Sequence, residues 1–424
     1  MNKKLLPAYL LTFVNVLGFS ILMPVLPFIV ENYGAPEWVF GLMLTFYSAS
    51  QFVGSPWLGA MSDQRGRKPV LMISQAGTLL SWFVFLGALF LPNTSVYGLA
   101  IPLLIIGLSR ILDGITGGNA SVANAYVADI TTPEQKSYIF GYLGGIAGIG
   151  LIIGPGIGGL TAGSSFGYKG TILTAIGIST IALIAIKFWL RESLPQEKRM
   201  YKARQSISKS FFILRRIREV QPKPIIKTLF IIKLFFSVMM AFYISSISLF
   251  LIDLFSFDEK ELGFFMLFVG IFLSFNQAFL SKRFINAFGQ YKTLLIGLSL
   301  SVIGLICITL TDVLYLYIAF YYVMNLGLSL CFPTFNGLIA QHANPQRQGE
   351  IMGISESINS LALALFPVIG AGLYGIIGYK MYYFMALLPL AGLLIAIVRG
   401  KRDIEEAKKQ LSNENPFAGL HSDN

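Results

Sequence analysis

Arg110 and Asp113 stand three residues apart inside one long apolar stretch, and Glu356 stands inside another. On a helix, a spacing of three puts the guanidinium and the carboxylate on one face. In hydrocarbon such groups cost several kcal/mol unless they pair or line water, so ionisable residues at that depth are candidates for moving charge. A carboxylate beside an arginine can release and regain a proton, and Asp113 can do this while also neutralising Arg110. Glu356 lies six residues past Glu350, about 9 Å deeper along a helix at ~1.5 Å per residue, with Lys233 as an alternative, structural partner. Polar side chains recur in the same stretches: Asn15, Gln51, Asn119, Asn124, Asn276, Gln277, Tyr322, Asn325, Asn336 and Asn359. Hydrogen bonding between helices explains any one of them. As a group they predict a cavity for a moderately polar small molecule.

Other chemistries find no footing. The chain has no G-x-x-x-x-G-K-[ST] phosphate loop, so nucleotide-driven pumping is not expected. Its two histidines, His342 and His421, fall outside the apolar stretches, which leaves no nucleophile with a base and no metal cluster within them. The expectation is a protein that is not an enzyme and needs neither a cofactor nor a metal. Cys307 and Cys331 sit in apolar segments and read as small core residues.

The elements that must hold these residues follow from composition. Of 424 residues, 55% are hydrophobic and 12% charged, against roughly 25% charged in a soluble domain. A bilayer supplies the missing solvent, and long apolar runs select helices over a barrel. Spans of ~20 residues are expected near 5–30, 39–60, 70–91, 98–127, 138–162, 168–190, 227–253, 262–281, 293–311, 313–341, 350–376 and 379–398. The first has no small-residue cleavage site and reads as a retained helix rather than a signal peptide. The predicted fold is an all-α polytopic membrane protein of twelve transmembrane helices in two six-helix bundles.

The net charge of +11 sits in loops rather than on a soluble basic face, so the partner is the lipid bilayer and no nucleic acid is expected. If both termini are cytoplasmic, only Lys169, Lys260 and Lys380 of the 32 Lys and Arg fall in exterior segments, with Arg110 inside the membrane. That asymmetry is the positive-inside pattern. The organisation is then a bundle over 1–190, a basic cytoplasmic linker over 191–226, a second bundle over 227–399 and a cytoplasmic tail over 400–424. Two six-helix halves are the arrangement of secondary transporters that rock about a midplane site. A faint echo links them, since GAMSDQRGRKPVL after the second helix and SKRFINAFGQYKTLL after the eighth are both short basic turns with a glycine.

In the first of these loops Gly59, Asp63, Gly66, Arg67 and Lys68 fall at the spacing of the signature loop of the major facilitator superfamily, which the chain resembles; Gln64 departs from the usual arginine. LGFSILMPVLP over Leu17–Pro27, Arg110 with Gly114, and GLIIGPGIGG over Gly150–Gly159 are similar to the twelve-span drug/proton antiporter branch. SQFVGSPWLGAMSD, GITGGNASVANAYVADIT and the Arg347–Gly349 RQG look like bacterial tetracycline/proton antiporters. The resemblance implies a proton-coupled exporter of a drug-like molecule or metabolite, monomeric, in a bacterial inner membrane. It implies that Asp63 faces the positive amino end of the eleventh helix near Gly349, worth ~0.3–1 kcal/mol, and that Arg67 pairs with Asp129. It also assigns Gly150, Gly154, Pro155, Gly158 and Gly159 to an exporter motif. From spacing alone, Gly150, Gly154 and Gly158 give a smooth face for close helix packing, and Pro155 interrupts the hydrogen-bond ladder. The chain departs from the tetracycline antiporters at Asn15, where they carry an aspartate, and in lacking their helix-eight histidine. Asp113 and Glu356 are the spare acids. A uniporter or importer of a metabolite or metal chelate, and a non-transporting sensor or scaffold, are the rival readings. A cysteine placed in the linker, Ser208→Cys, is expected to react with an impermeant maleimide only from the cytoplasmic side; labelling from outside would overturn the topology.

Overall fold

The structure, a computed structural model, describes residues 6–96, 98–199, 213–343, 347–400 and 402. The middle of the expected linker, 200–212, and the expected tail beyond 402, including His421, lie outside the described residues. Among the described residues eight helical stretches are long and apolar enough to cross a bilayer. Two of them, Glu259–Cys307 at 49 residues and Glu350–Gly400 at 51, are twice the length of one crossing. Each contains a glycine of positive φ, Gly289 and Gly378, where the helix direction changes. The opening pair of short helices, Leu6–Ser20 and Leu26–Asn32, and the more polar helix Glu37–Arg65 complete twelve passes among the described residues.

In chain order the first half comprises α1 Leu6–Ser20, α2 Leu26–Asn32, α3 Glu37–Arg65, α4 Arg67–Ala88, α5 Ile101–Gly117, α6 Ala120–Asp129, α7 Pro133–Ala162 and α8 Gly167–Trp189. The connecting α9 Ile213–Val220 precedes α10 Pro224–Phe255, α11 Glu259–Phe275, α12 Ser281–Cys307, α13 Leu314–His342, α14 Gln348–Ile377 and α15 Met381–Ile395.

Several boundaries differ from the sequence reading for local reasons. The loop expected over 61–69 shrinks to Gly66: α3 runs on to Arg65, and α4 restarts at Arg67 across a glycine with φ 98° and ψ 159°. Pro69 falls in the first turn of α4, where its missing N–H leaves no bond unmade. The first span is split because Pro24 and Pro27 interrupt the ladder between α1 and α2. The fourth span starts at Ile101 rather than 98, since Leu99–Ala100 pairs as a strand with Ser95–Val96 and Pro102 opens the helix. Its far half is broken at Gly118 and Asn119, between α5 and α6.

By internal contacts the residues group into two compact units, Met1–Phe211 with Ala241–Ile271 and Leu363–Met381, and Phe212–Met240 with Phe272–Ala362 and Tyr382–Asn424. In the first, backbone lies against backbone where α3 crosses α5. A Cβ on Gly54 would strike the Ile115 backbone, one on Gly114 would come within 2.7 Å of Ser50 Cβ, and one on Gly118 within 2.6 Å of Ser55 N. The α7 glycines split between two neighbours. Gly150, Gly154 and Gly158 face α1, at Phe13, Ser20 and Ile21, whereas Gly159 faces Glu259 and Gly263 of α11, and a Cβ on Gly263 would reach the Pro155 carbonyl at 2.7 Å. In the second unit α12 and α13 meet at Gly297, Gly304 and Gly327, with Cys331 buried at the seam. Large apolar side chains such as Phe83, Leu108, Phe188 and Ile376 stay exposed. In water such a surface would aggregate, whereas lipid tails match it. Gly114→Val is expected to cost about 1–3 kcal/mol by overpacking and to lower the melting temperature in detergent. Gly87→Ala, with open space around it, should leave that temperature unchanged or raised.

Candidate functional site

The α3–α5 crossing fixes what lies one turn away. Arg110 and Asp113 project from α5 and pair at 3.1 Å, Nη1 to Oδ2, with side chains 3% and 6% exposed. The guanidinium carbon stands 4.7 Å from the Trp82 ring centroid. Asp113 lines a small cavity of about 10 Å³ together with Asn15, Tyr47, Thr78 and Trp82, at the lower limit of what one water fills. Asn15 Nδ2 donates to Asn119 Oδ1. Gln51 donates to the Tyr47 hydroxyl at 3.2 Å and to the Gly117 carbonyl at 3.3 Å. Of the three amides the sequence singled out, Asn15 lines the cavity with Asp113, and Asn15 and Gln51 tie α1 and α3 to the break between α5 and α6.

A second cluster sits at the Gly66 corner. Arg67 is nearly buried and reaches three partners: Ser62 Oγ at 2.6 Å, Asp63 Oδ1 at 2.6 Å and, through Nε, Asp129 Oδ2 at 3.0 Å. Lys68 Nζ donates to the Lys187 carbonyl at 2.9 Å. Glu192 accepts from the Arg67 and Lys68 backbone N–H groups at 2.8 and 3.2 Å, satisfying two donors that every helix start leaves open. Ser193 donates to the same Asp129 oxygen at 3.0 Å. Gly59 lies one turn before Asp63 on α3.

The second unit holds two further groups. Asn276, on a π-helical turn after α11, accepts from Tyr322 at 3.0 Å and donates to Asn325 at 3.4 Å. Lys233 is buried and donates to Ser355 Oγ at 2.7 Å, while Glu356, 67% exposed, stays 4.0 Å from its ammonium and accepts from Asn359 at 3.2 Å. Gly349 lies in the first turn of α14. Asn124, Gln277 and Asn336 are exposed. Gly289 has φ 78° and ψ 162°, nearly the backbone of Gly66, so the two basic turns that echo in sequence also share a conformation.

The model of the Major Facilitator Superfamily matches residues 8–349 and again 277–422. The chain belongs to the Major Facilitator Superfamily. It is a secondary transporter and a multi-pass integral membrane protein, not an enzyme. This facilitator is 26% identical over 405 residues to the tetracycline resistance protein, class H, of Pasteurella multocida, covering 93% of this chain and 94% of the relative. It is 24% identical over 406 residues to the quinolone resistance protein NorA of Staphylococcus aureus, covering 94% and 97%. Its fold is that of a D-xylose-proton symporter, at 15% identity and a TM-score of 0.72 over 94% of this chain and 97% of that one. The human organic anion transporter TETRAN matches at 21% identity and a TM-score of 0.68, over 93% and 99%.

Trp82 and Tyr47 of the facilitator lie in apolar runs, and Thr78 is a small hydroxyl among them, so nothing local in the sequence marks the three as site residues. Nothing local marks Glu192 either, because its partners lie more than a hundred positions away. Arg67→Lys keeps the charge but cannot reach Ser62, Asp63 and Asp129 together. Each screened arm lost is worth about 0.2–1 kcal/mol, so transport in vesicles is expected to fall several-fold with expression intact; undiminished transport would show the three-way contact to be dispensable.

Proposed function

We propose that this facilitator is a proton-coupled exporter of a small organic, drug-like molecule or metabolite, working by alternating access with Asp113 as the proton carrier. The observation that carries this reading is a carboxylate buried beside Arg110 on the wall of a small cavity that Asn15, Tyr47, Thr78 and Trp82 also line. Protonation would remove its charge and its Coulombic hold on Arg110, so the two protonation states differ in the interactions around α5. A transporter needs such a difference to tie proton uptake to a change of state. The printed names of the tetracycline and quinolone resistance relatives support export of drug-like compounds. Asn15, an amide hydrogen-bonded to Asn119, cannot titrate, which leaves Asp113 as the acid of this pocket.

Orientation follows from charge: the basic turns and the linker face the cytoplasm with both termini, and the protein sits as a monomer in a bacterial inner membrane. Asp63, Arg67 and Asp129 then form a cytoplasmic latch that biases the two access states. Gly150, Gly154, Pro155, Gly158 and Gly159 provide the close-packed seam along which α7 moves. The exposed carboxylate of Glu356, held loosely by Lys233, supports it as a second coupling group rather than the principal one.

In proteoliposomes with an imposed proton gradient and a panel of tetracyclines and quinolones, Asp113→Asn is expected to abolish gradient-driven accumulation while leaving substrate binding. Glu356→Gln should weaken it in part. Full coupling in both variants would eliminate these carriers, and substrate flux without proton movement in the wild type would favour the uniporter reading.

A further inference from the structure

The Arg110 guanidinium is held by two unlike kinds of partner. One is a carboxylate: Nη1 donates to Asp113 at 3.1 Å. The other is aromatic: the guanidinium carbon stands 4.7 Å from the Trp82 ring centroid and 5.2 Å from that of Phe85. The two rings lie three residues apart on α4 and stack with centroids 6.3 Å apart at 27°. Among the described residues Arg110 Nε and Nη2 are buried without a hydrogen-bond partner, and Arg110, Trp82 and Phe85 are 3%, 0% and 0% exposed. A guanidinium has five N–H donors, so one ion-pair contact alone leaves most of its charge unanswered. An aromatic face supplies negative potential without requiring a directed acceptor.

We propose that Trp82, assisted by Phe85, is a positioning residue for the proton-coupled step: an aromatic clamp that keeps the Arg110 charge in place while Asp113 gains and loses its proton. The proposal rests on the reading of Asp113 as the carrier. With Asp113 ionised, the cation is shared between carboxylate and rings. When a proton bonds to a carboxylate oxygen, the acid becomes neutral, and the rings are what still face the cation. Around the pair, α3 contributes Tyr47, the one other titratable group there among the described residues. Elements α1, α4 and α8 contribute the uncharged Asn15, Thr78, Ser81 and Ser179. The clamp thus lowers the cost of the protonated state and lets Asp113 take up its proton at a higher pH than an unclamped pair would.

The test needs no substrate. The carbonyl stretch of a protonated carboxyl is followed by difference infrared spectroscopy as the purified full-length protein is titrated in detergent, with Asp113→Asn identifying the band. Trp82→Leu is expected to move the midpoint of that band about one pH unit to acid, a tenfold change in proton affinity. Trp82→Phe, which keeps a ring face, should stay within about 0.3 unit of the wild type. Phe85→Leu should move it the same way by less, and it carries the test if Trp82→Leu does not fold. A band that Trp82→Leu and Phe85→Leu leave in place, or that Trp82→Phe moves as far as leucine does, overturns the clamp alone. A band that persists in Asp113→Asn overturns the carrier assignment and the clamp with it.

Discussion

A charge inside hydrocarbon has to be answered by something close, because no water is there to do it. Arg110 makes this constraint concrete. Its neighbours on α5 and α4 are a carboxylate and two aromatic faces, and the rings could not approach if the two helices were held apart by side chains. Gly77 removes that spacing between α4 and α5, since a Cβ there would come within 2.3 Å of Thr116 Cγ2, so the close α4–α5 packing and the ringed ion pair are parts of one solution. Breaking a pair at such depth by deleting one partner costs about 3–5 kcal/mol in a typical protein, more than any single surface bond. The pair is therefore costly to break, and a change in its protonation state alters the balance of charge deep in the first unit.

The Gly66 corner follows different rules. Arg67 is nearly buried, but Asp63 and Asp129 keep 32% and 23% of their side-chain surface, so water screens each contact and each is worth correspondingly little. Its strength lies in number and geometry. One planar guanidinium addresses two carboxylates and a hydroxyl, and Glu192 closes the start of α4 with bonds to two backbone N–H groups. Contacts of this kind can be made and broken at modest cost, which suits a latch better than a core. The pocket pair and the corner thus divide the work physically, one holding a costly charge and the other holding a cheap, reversible grip.

Much of this was legible in the order of residues. Apolar length and basic loops gave the spans, and the Gly59–Lys68 spacing gave the corner. The three-residue interval between Arg110 and Asp113 placed both groups on one helix face. What spacing could not reveal is which residues of other helices meet that face. Trp82 and Phe85 sit in an apolar run where a ring is ordinarily lipid-facing or core, and nothing local marks them as partners of a cation. Asn15 lines the Asp113 cavity and bonds to Asn119, and Gln51 bonds to the Tyr47 hydroxyl, whereas Asn276, Tyr322 and Asn325 form a separate group in the other unit.

The solvent, the number of passes and the places where charge is tolerated follow from the order of residues, because they depend on composition and on period along a single chain. The tertiary structure alone decided which helices touch backbone to backbone, which face of α7 meets α1 and which meets α11, and what surrounds Arg110. Those outcomes depend on rotation of each helix about its axis, and rotation is fixed by packing against neighbours distant in the chain rather than by any local run of residues.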